Sequence, residues 1–408
     1  MGTALLKKWG HSGAANPRRL WNDRAGSVAV TIVPADTKLT PRHRGATAVI
    51  VGNTLYASAV SGVDATSASD LSRQTRLAYR RVAEMLEKAG HSISSIVKIV
   101  EYVAVAVLEH YPEVAGVRDE LIGSNKPAIN TVIVSELTEL GALIEIEVVS
   151  DVSAGVLRAA SGAVLAASTG VIHLPTILPL DDEGALLHPG DVAAQTHVIF
   201  ERARRILSAV GVGLDQITMT IDHPTEAART GYRASAAVRQ NYLGPVYPAS
   251  AGILMPSLLH PEAMIQYEFF ATRERPVAVN PGWRRYDALT YSPAVRAGDL
   301  LFIAGQSARD PADEQMRAPC DVAGQAEFIY SKSITIIEAA GGTARDMVRT
   351  FEYIPPRNLS GYDRVVESRK RMFPDLPIAS SGIVCSSLLK RSMEIEIIGF
   401  AVLGRGGK

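Results

Sequence analysis

One unit is written three times along this chain, and the repetition constrains the fold more than any other feature. The stretches are "DLSRQTRLAYRRVAEMLEKAG" from Asp70, "DVAAQTHVIFERARRILSAVG" from Asp191 and "DVAGQAEFIYSKSITIIEAAG" from Asp321; all have the same length. Each begins with Asp, carries Gln at its fifth place (Gln74, Gln195, Gln325) and ends in Gly (Gly90, Gly211, Gly341). Asp is a favourable N-cap, the apolar positions recur at three and four, and the last Gly can take the left-handed conformation that ends a helix. Each stretch therefore predicts a helix.

The landmarks stay in step beyond the helices. A strand-like run follows each: "SIVKIVEYVAV", "QITMTIDH" and "DMVRTFEYI". A second helix then leads to a proline-led strand, "KPAINTVIVSEL", "YPASAGILMPSL" and "LPIASSGIVCSSL", whose prolines are Pro127, Pro248 and Pro377. A last strand closes each unit: "LIEIEVVSD", "MIQYEFFAT" and "MEIEIIGFAV". The fold class is thus α+β: three tandem domains, each with helices covering one face of a sheet. The expected spans are 1–155, including an N-terminal extension, 156–282 and 283–408. The charged, proline-bearing "TRERPVAVNPGWRR" suits the second linker.

Composition excludes several classes. Lys+Arg and Asp+Glu are 42 each, which gives no support for a nucleic-acid partner. The basic "KKWGHSGAANPRRLWNDR" near the start reads as a surface extension. Two cysteines, Cys320 and Cys385, rule out a disulfide framework or a cysteine-rich zinc site and fit a cytoplasmic setting. The histidines show no metal-ligand spacing. No glycine-rich phosphate loop follows a strand, so no nucleotide cofactor is expected. The longest apolar run, "IVKIVEYVAVAVL", is too short and too polar to span a bilayer.

The third unit's opening, "YSPAVRAGDLLFIAGQ" from Tyr291, resembles "YSQAVRxGNLLFVSGQ" of the YjgF/Rid family, the reactive-intermediate deaminases. Its ending "EIEIIGFAV" is similar to the family's "EIEAIAV", and the first unit matches through "VGNTLYASA" and "KPAINTVIVSEL". The resemblance implies homotrimers of single-domain members, with ligand sites in the clefts between neighbours. Three domains in one chain would then form a covalent pseudo-trimer whose three interdomain clefts are free to diverge. Further self-association stays open.

The family's proline-led strand reads "PARS", and its arginine holds a substrate carboxylate as a bidentate pair. Here the matched positions are Ile129, Ser250 and Ala379, so no unit keeps it. The family's final-strand glutamate, which positions water, is matched to Glu145 and Glu394, with Gln266 in the second unit. The opening tyrosine is matched by Tyr291. A glutamate within an apolar strand is either an acid–base group with a raised pKa or a salt-bridged one. Ser250 and Ser380, after the key prolines, are expected to line clefts. Arg44 (with Arg42) and Arg285 (with Arg284) are candidates to replace the missing arginine. The catalytic expectation is Glu394, Glu145 and Tyr291. The expected activity is a cofactor-free hydrolase that releases ammonia from an enamine, imine or 2-aminomuconate-like small acid. The alternatives are a non-catalytic small-molecule-binding or scaffold protein and a chorismatase-like hydrolase.

Overall fold

The computed structural model describes residues 30–33, 46–67 and 69–404. The basic N-terminal stretch, Arg42 and Arg44 lie outside the described residues. Three sheets follow one another, built from strands spanning residues 30–151, 157–272 and 277–402. In each sheet a core strand (Ile96–Ala104, Ile217–Pro224, Met347–Ile354) is flanked by two others. An edge strand (Ala128–Val134, Ala249–Gly252, Ala379–Val384) runs parallel to it. A closing strand (Ile144–Asp151, Ile265–Thr272, Glu396–Val402) runs antiparallel on its other side.

The repeat helices are α1 (Leu71–Lys88), α3 (Val192–Ser208) and α5 (Val322–Ala339); α2 (Tyr111–Ile122), α4 (Arg233–Tyr242) and α6 (Tyr362–Met372) lead to the edge strands. Asp70 and Asp191 cap α1 and α3 through their carboxylates. Asp321 does not: its side chain pairs with Arg364 of α6 instead. Gly90, Gly211 and Gly341 have φ of 75°, 74° and 86°, the left-handed turn that stops each helix.

The recurring glutamine locks helix to sheet. Gln74, Gln195 and Gln325 each accept a hydrogen bond from the backbone N–H of Leu143, Met264 or Glu394, at the approach to the closing strand. Their amides donate to the carbonyls of Gly141, His188 and Ser392. Each side chain is fully buried, so these bonds satisfy groups that water cannot reach.

Helices cover one face of every sheet, and each domain has its own apolar core there. The opposite faces turn toward one another in a shared core with Val100, Met219, Phe302, Phe351 and Ile398. The domains meet in a ring of three seams. In the first, the Thr176 N–H donates to the Ile129 carbonyl at 3.0 Å. In the second, Ser292 donates to Pro248 at 2.9 Å, and in the third, Ser135 donates to Val384 at 2.9 Å.

Buried side chains mark the seams differently. Lys98 of the first core strand pairs with Glu268 of the second closing strand. Arg349 of the third core strand pairs with Glu147 of the first closing strand. The place in the repeat that holds Lys98 and Arg349 holds Met219 in the second domain, and Ile398 stands where Glu147 and Glu268 do. Two seams therefore carry a buried ion pair and the third an apolar counterpart. Among the described residues, no helix is long and apolar enough to cross a membrane.

Candidate active site

The seam between the second and third domains opens into a cavity of about 440 Å³. One wall is α4 with the edge strand after it, through Tyr232, Arg239 and Ser250. The other is the third domain's opening segment, through Arg285, Tyr286 and Tyr291, with Glu396 at the start of the closing strand.

Glu396 is the only carboxylate among the described lining residues, and 6 % of it is exposed. It lies over Gly305. A Cβ there would clash with a Glu396 carboxyl oxygen and come within 2.8 Å of the Ala251 Cβ across the seam, so a larger residue would displace the carboxyl or press on the facing strand. Burial pushes the Glu396 carboxyl up to about 8, with the Asp222 charge adding to the rise and Lys332 opposing it. The shift favours the protonated acid at neutral pH.

The other charged side chains of the lining are basic, set among apolar, hydroxyl and tyrosine groups. Arg239, Arg285, Arg309 and Lys390 reach it, with Lys332 beside them. Arg309 is paired with Glu314 at 2.7 Å, and Arg285 is 3.8 Å from the same carboxylate. Lys390 is shifted down by burial and by the charges of Arg309 and Arg285. Such side chains can attract an anion, although Arg239 and Arg309 are already paired with protein carboxylates. Tyr286 and Tyr291 meet edge to face, 5.6 Å apart, and burial raises the Tyr291 hydroxyl above its ordinary value. Both rings give a planar ligand an apolar surface.

Arg239 is a residue the sequence reading missed. It projects from α4, bonds Ser250 Oγ at 3.0 Å and pairs with buried Asp222 at 3.4 Å. Arg118 and Arg369 stand at the same distance after the opening Asp of their repeats. They pair with Glu101 and Glu352 in the same way. That shared spacing was the available signal. In the second seam it sets a guanidinium beside Ser250, at the place where the family's own arginine would begin.

Register reassigns two matches. Tyr102, His223 and Tyr353 face Glu145, Gln266 and Glu396 across the core and closing strands. The glutamine lock gives the same alignment. The counterpart of Glu145 is therefore Glu396, two residues beyond Glu394. On the edge strands, Ile129, Ser250 and Ser380 align, so Ser380 rather than Ala379 holds the third place.

Of the residues singled out in the sequence, Tyr291, Ser250 and Arg285 come together around this cavity. Glu394 lies outside it, held by Asn358 at 2.7 Å and Arg357 at 3.1 Å. Glu145 is buried at the third seam, its carboxyl pushed up to about 8 by burial and by Glu139. Ser380 is buried between Arg369 at 2.6 Å and Glu352 at 3.0 Å, and its N–H donates to Ser58. Arg44 is outside the described residues. At the first seam Gln266 donates to the Thr131 carbonyl at 2.9 Å. Among the described residues, no cluster of His, Cys, Asp and Glu could hold a metal ion.

Residues 36–152 and 285–403 match the family described as Endoribonuclease L-PSP. The chain belongs to that family, and the YjgF/Rid resemblance of its sequence is this membership. It is similar to the 3-aminoacrylate deaminase RutC of Acinetobacter baylyi, 31% identical over 96 residues, which are 24% of this chain and 74% of the relative. A solved YjgF/YER057c/UK114 family member from Mycobacterium tuberculosis is 27% identical, covers 30% of this chain and 100% of its own, and has a TM-score of 0.28. A solved chorismatase covers 76% of this chain and 93% of its own, with 13% identity and a TM-score of 0.50, a likeness of fold.

Proposed function

We propose that the cleft between the second and third domains hydrolyses a small dicarboxylic acid bearing an enamine or enol ether, with Glu396 as proton donor. The observation that carries this reading is a buried glutamate, its carboxyl pushed up by burial, standing as the sole carboxylate among the described lining residues of a cavity whose other charged side chains are basic. The names of the relatives point to the same chemistry. 3-Aminoacrylate is an enamine and chorismate is an enol ether. Both are electron-rich alkenes that water attacks once carbon is protonated.

Glu396 gives its proton to the alkene carbon, and the charge moves to the adjoining carbon and its nitrogen or oxygen. Water adds there. The adduct then loses ammonia or an alcohol and leaves a carbonyl. The cations hold the carboxylates, and the tyrosine rings hold the planar π-system. A low-dielectric site makes a positioned acid effective, and such groups contribute about 10²–10⁴-fold.

The test uses two substrates. The purified chain is assayed for ammonia release from enzymatically generated 2-aminomuconate and for pyruvate release from chorismate. Turnover of either that disappears in Glu396→Gln supports the proposal. Turnover of neither, or a Glu396→Gln variant that keeps full rate, overturns it.

A further inference from the structure

Lys332 sits on α5, 5 % exposed, and lines the same cavity as Glu396. Its Nζ donates to the carbonyls of Ser307 at 3.0 Å and Arg309 at 3.1 Å. The other two domains have the same clamp with a different residue. Arg81 donates to the carbonyls of Ser61 and Val63, and Arg202 to those of Leu180 and Asp181. All three stand at the same distance after the opening Asp of their repeats. Arginine does this structural task in two domains. The domain that lines this cavity has lysine there.

The substitution has a chemical consequence. Arginine cannot lose its proton in a protein, whereas a lysine amine can. A neutral amine has two hydrogens and one lone pair. Two hydrogens satisfy the two carbonyls, and the lone pair is left for a molecule in the cleft. We propose that Lys332 is the base of this site, accepting a proton from the water that attacks the activated substrate. This rests on the reading of the cleft as a hydrolytic site.

The groups around the amine favour its neutral form. Burial acts first, and Arg285 from the opening segment adds to it; Asp310 and Glu314 from the following loop and Glu396 from the closing strand oppose it. Trp283 lies 5.4 Å from Nζ. The amine is pushed down to about 7 and the Glu396 carboxyl up to about 8. Both shifts favour a neutral amine beside a protonated carboxyl.

The proton balance closes. Glu396 protonates carbon, and water adds while Lys332 takes one of its protons. The adduct's carbon–nitrogen or carbon–oxygen bond then breaks. The leaving nitrogen or oxygen takes the proton from Lys332, and the adduct's hydroxyl returns one to Glu396. Both groups end as they began.

Two measurements test this. Lysine labelled with ¹³C at Cε is followed by NMR through a pH titration of the whole chain, with Lys332→Arg identifying the resonance. A Lys332 transition near 7 is expected; one near the ordinary lysine value of about 10.4 overturns the proposal. The second is the pH profile of kcat on whichever of 2-aminomuconate and chorismate is turned over. Wild type is expected to fall on the acid side below about 7 and on the alkaline side above about 8. Lys332→Arg keeps the clamp, and is expected to keep KM while losing the acid limb and about 10²-fold or more in kcat. Lys332→Gln is expected to lose as much. Wild-type kcat in Lys332→Arg, with Glu396→Gln inactive, overturns the base and leaves the acid standing. Full activity in Glu396→Gln overturns the parent reading instead.

Discussion

At the scale of single residues, the site depends on where one carboxyl lies. The sequence offers two glutamates at the third domain's closing strand, and periodicity cannot choose between them. Side chains two apart in a strand share a face, so Glu394 and Glu396 satisfy the same pattern. What separates them is the cross-strand partner Tyr353 and the lock from Gln325, both long-range contacts. Arg239 was hidden for a related reason: its partner Asp222 lies on another element. Gly305 supplies a second probe of the acid, because a Cβ there meets the Glu396 carboxyl as well as the Ala251 Cβ. Gly305→Ala is expected to push the Glu396 carboxyl off its strand and to lower kcat by at least ten-fold, with a smaller change in thermal stability, read by steady-state kinetics and calorimetry. Unchanged kcat would mean that the carboxyl's position over Gly305 has no part in turnover.

Among the elements, the helices and strands of the repeat were legible because capping, glycine stops and apolar spacing are local. Asp321 is the exception: Arg364, from a different helix, draws its carboxylate away from the cap. The edge strands show the limit of counting. Pro377 lies one residue further from its strand than Pro127 and Pro248 do from theirs, and a one-residue slip moves a side chain to the opposite face. The glutamines were visible as a repeated letter, but their task needed the fold. Gln325→Ala removes one buried and one part-buried hydrogen bond and strands the buried Glu394 N–H. A loss of about 1–3 kcal/mol in chemical denaturation is expected. No loss would remove the glutamine from the account of how helix and closing strand are joined.

Across the whole molecule the three seams differ, and the charge pattern records it. Glu268→Ala should leave Lys98 buried without its partner and cost about 3–5 kcal/mol. The double change Lys98→Met with Glu268→Ile copies the Met219–Ile398 seam and is expected to recover most of that loss. A double variant as unstable as the single one would contradict the interchangeability of the seams. The three-domain plan was legible from repetition alone, whereas the difference between the clefts arises from side chains contributed by two domains at once. The most direct measurement of the central claim compares turnover in three variants, one per seam: Gln266→Ala, Glu145→Gln and Glu396→Gln. The account predicts that only Glu396→Gln collapses, by about 10²-fold or more, while the other two stay within a few-fold of wild type. Collapse in Glu145→Gln with Glu396→Gln active would place the chemistry at the third seam and contradict it.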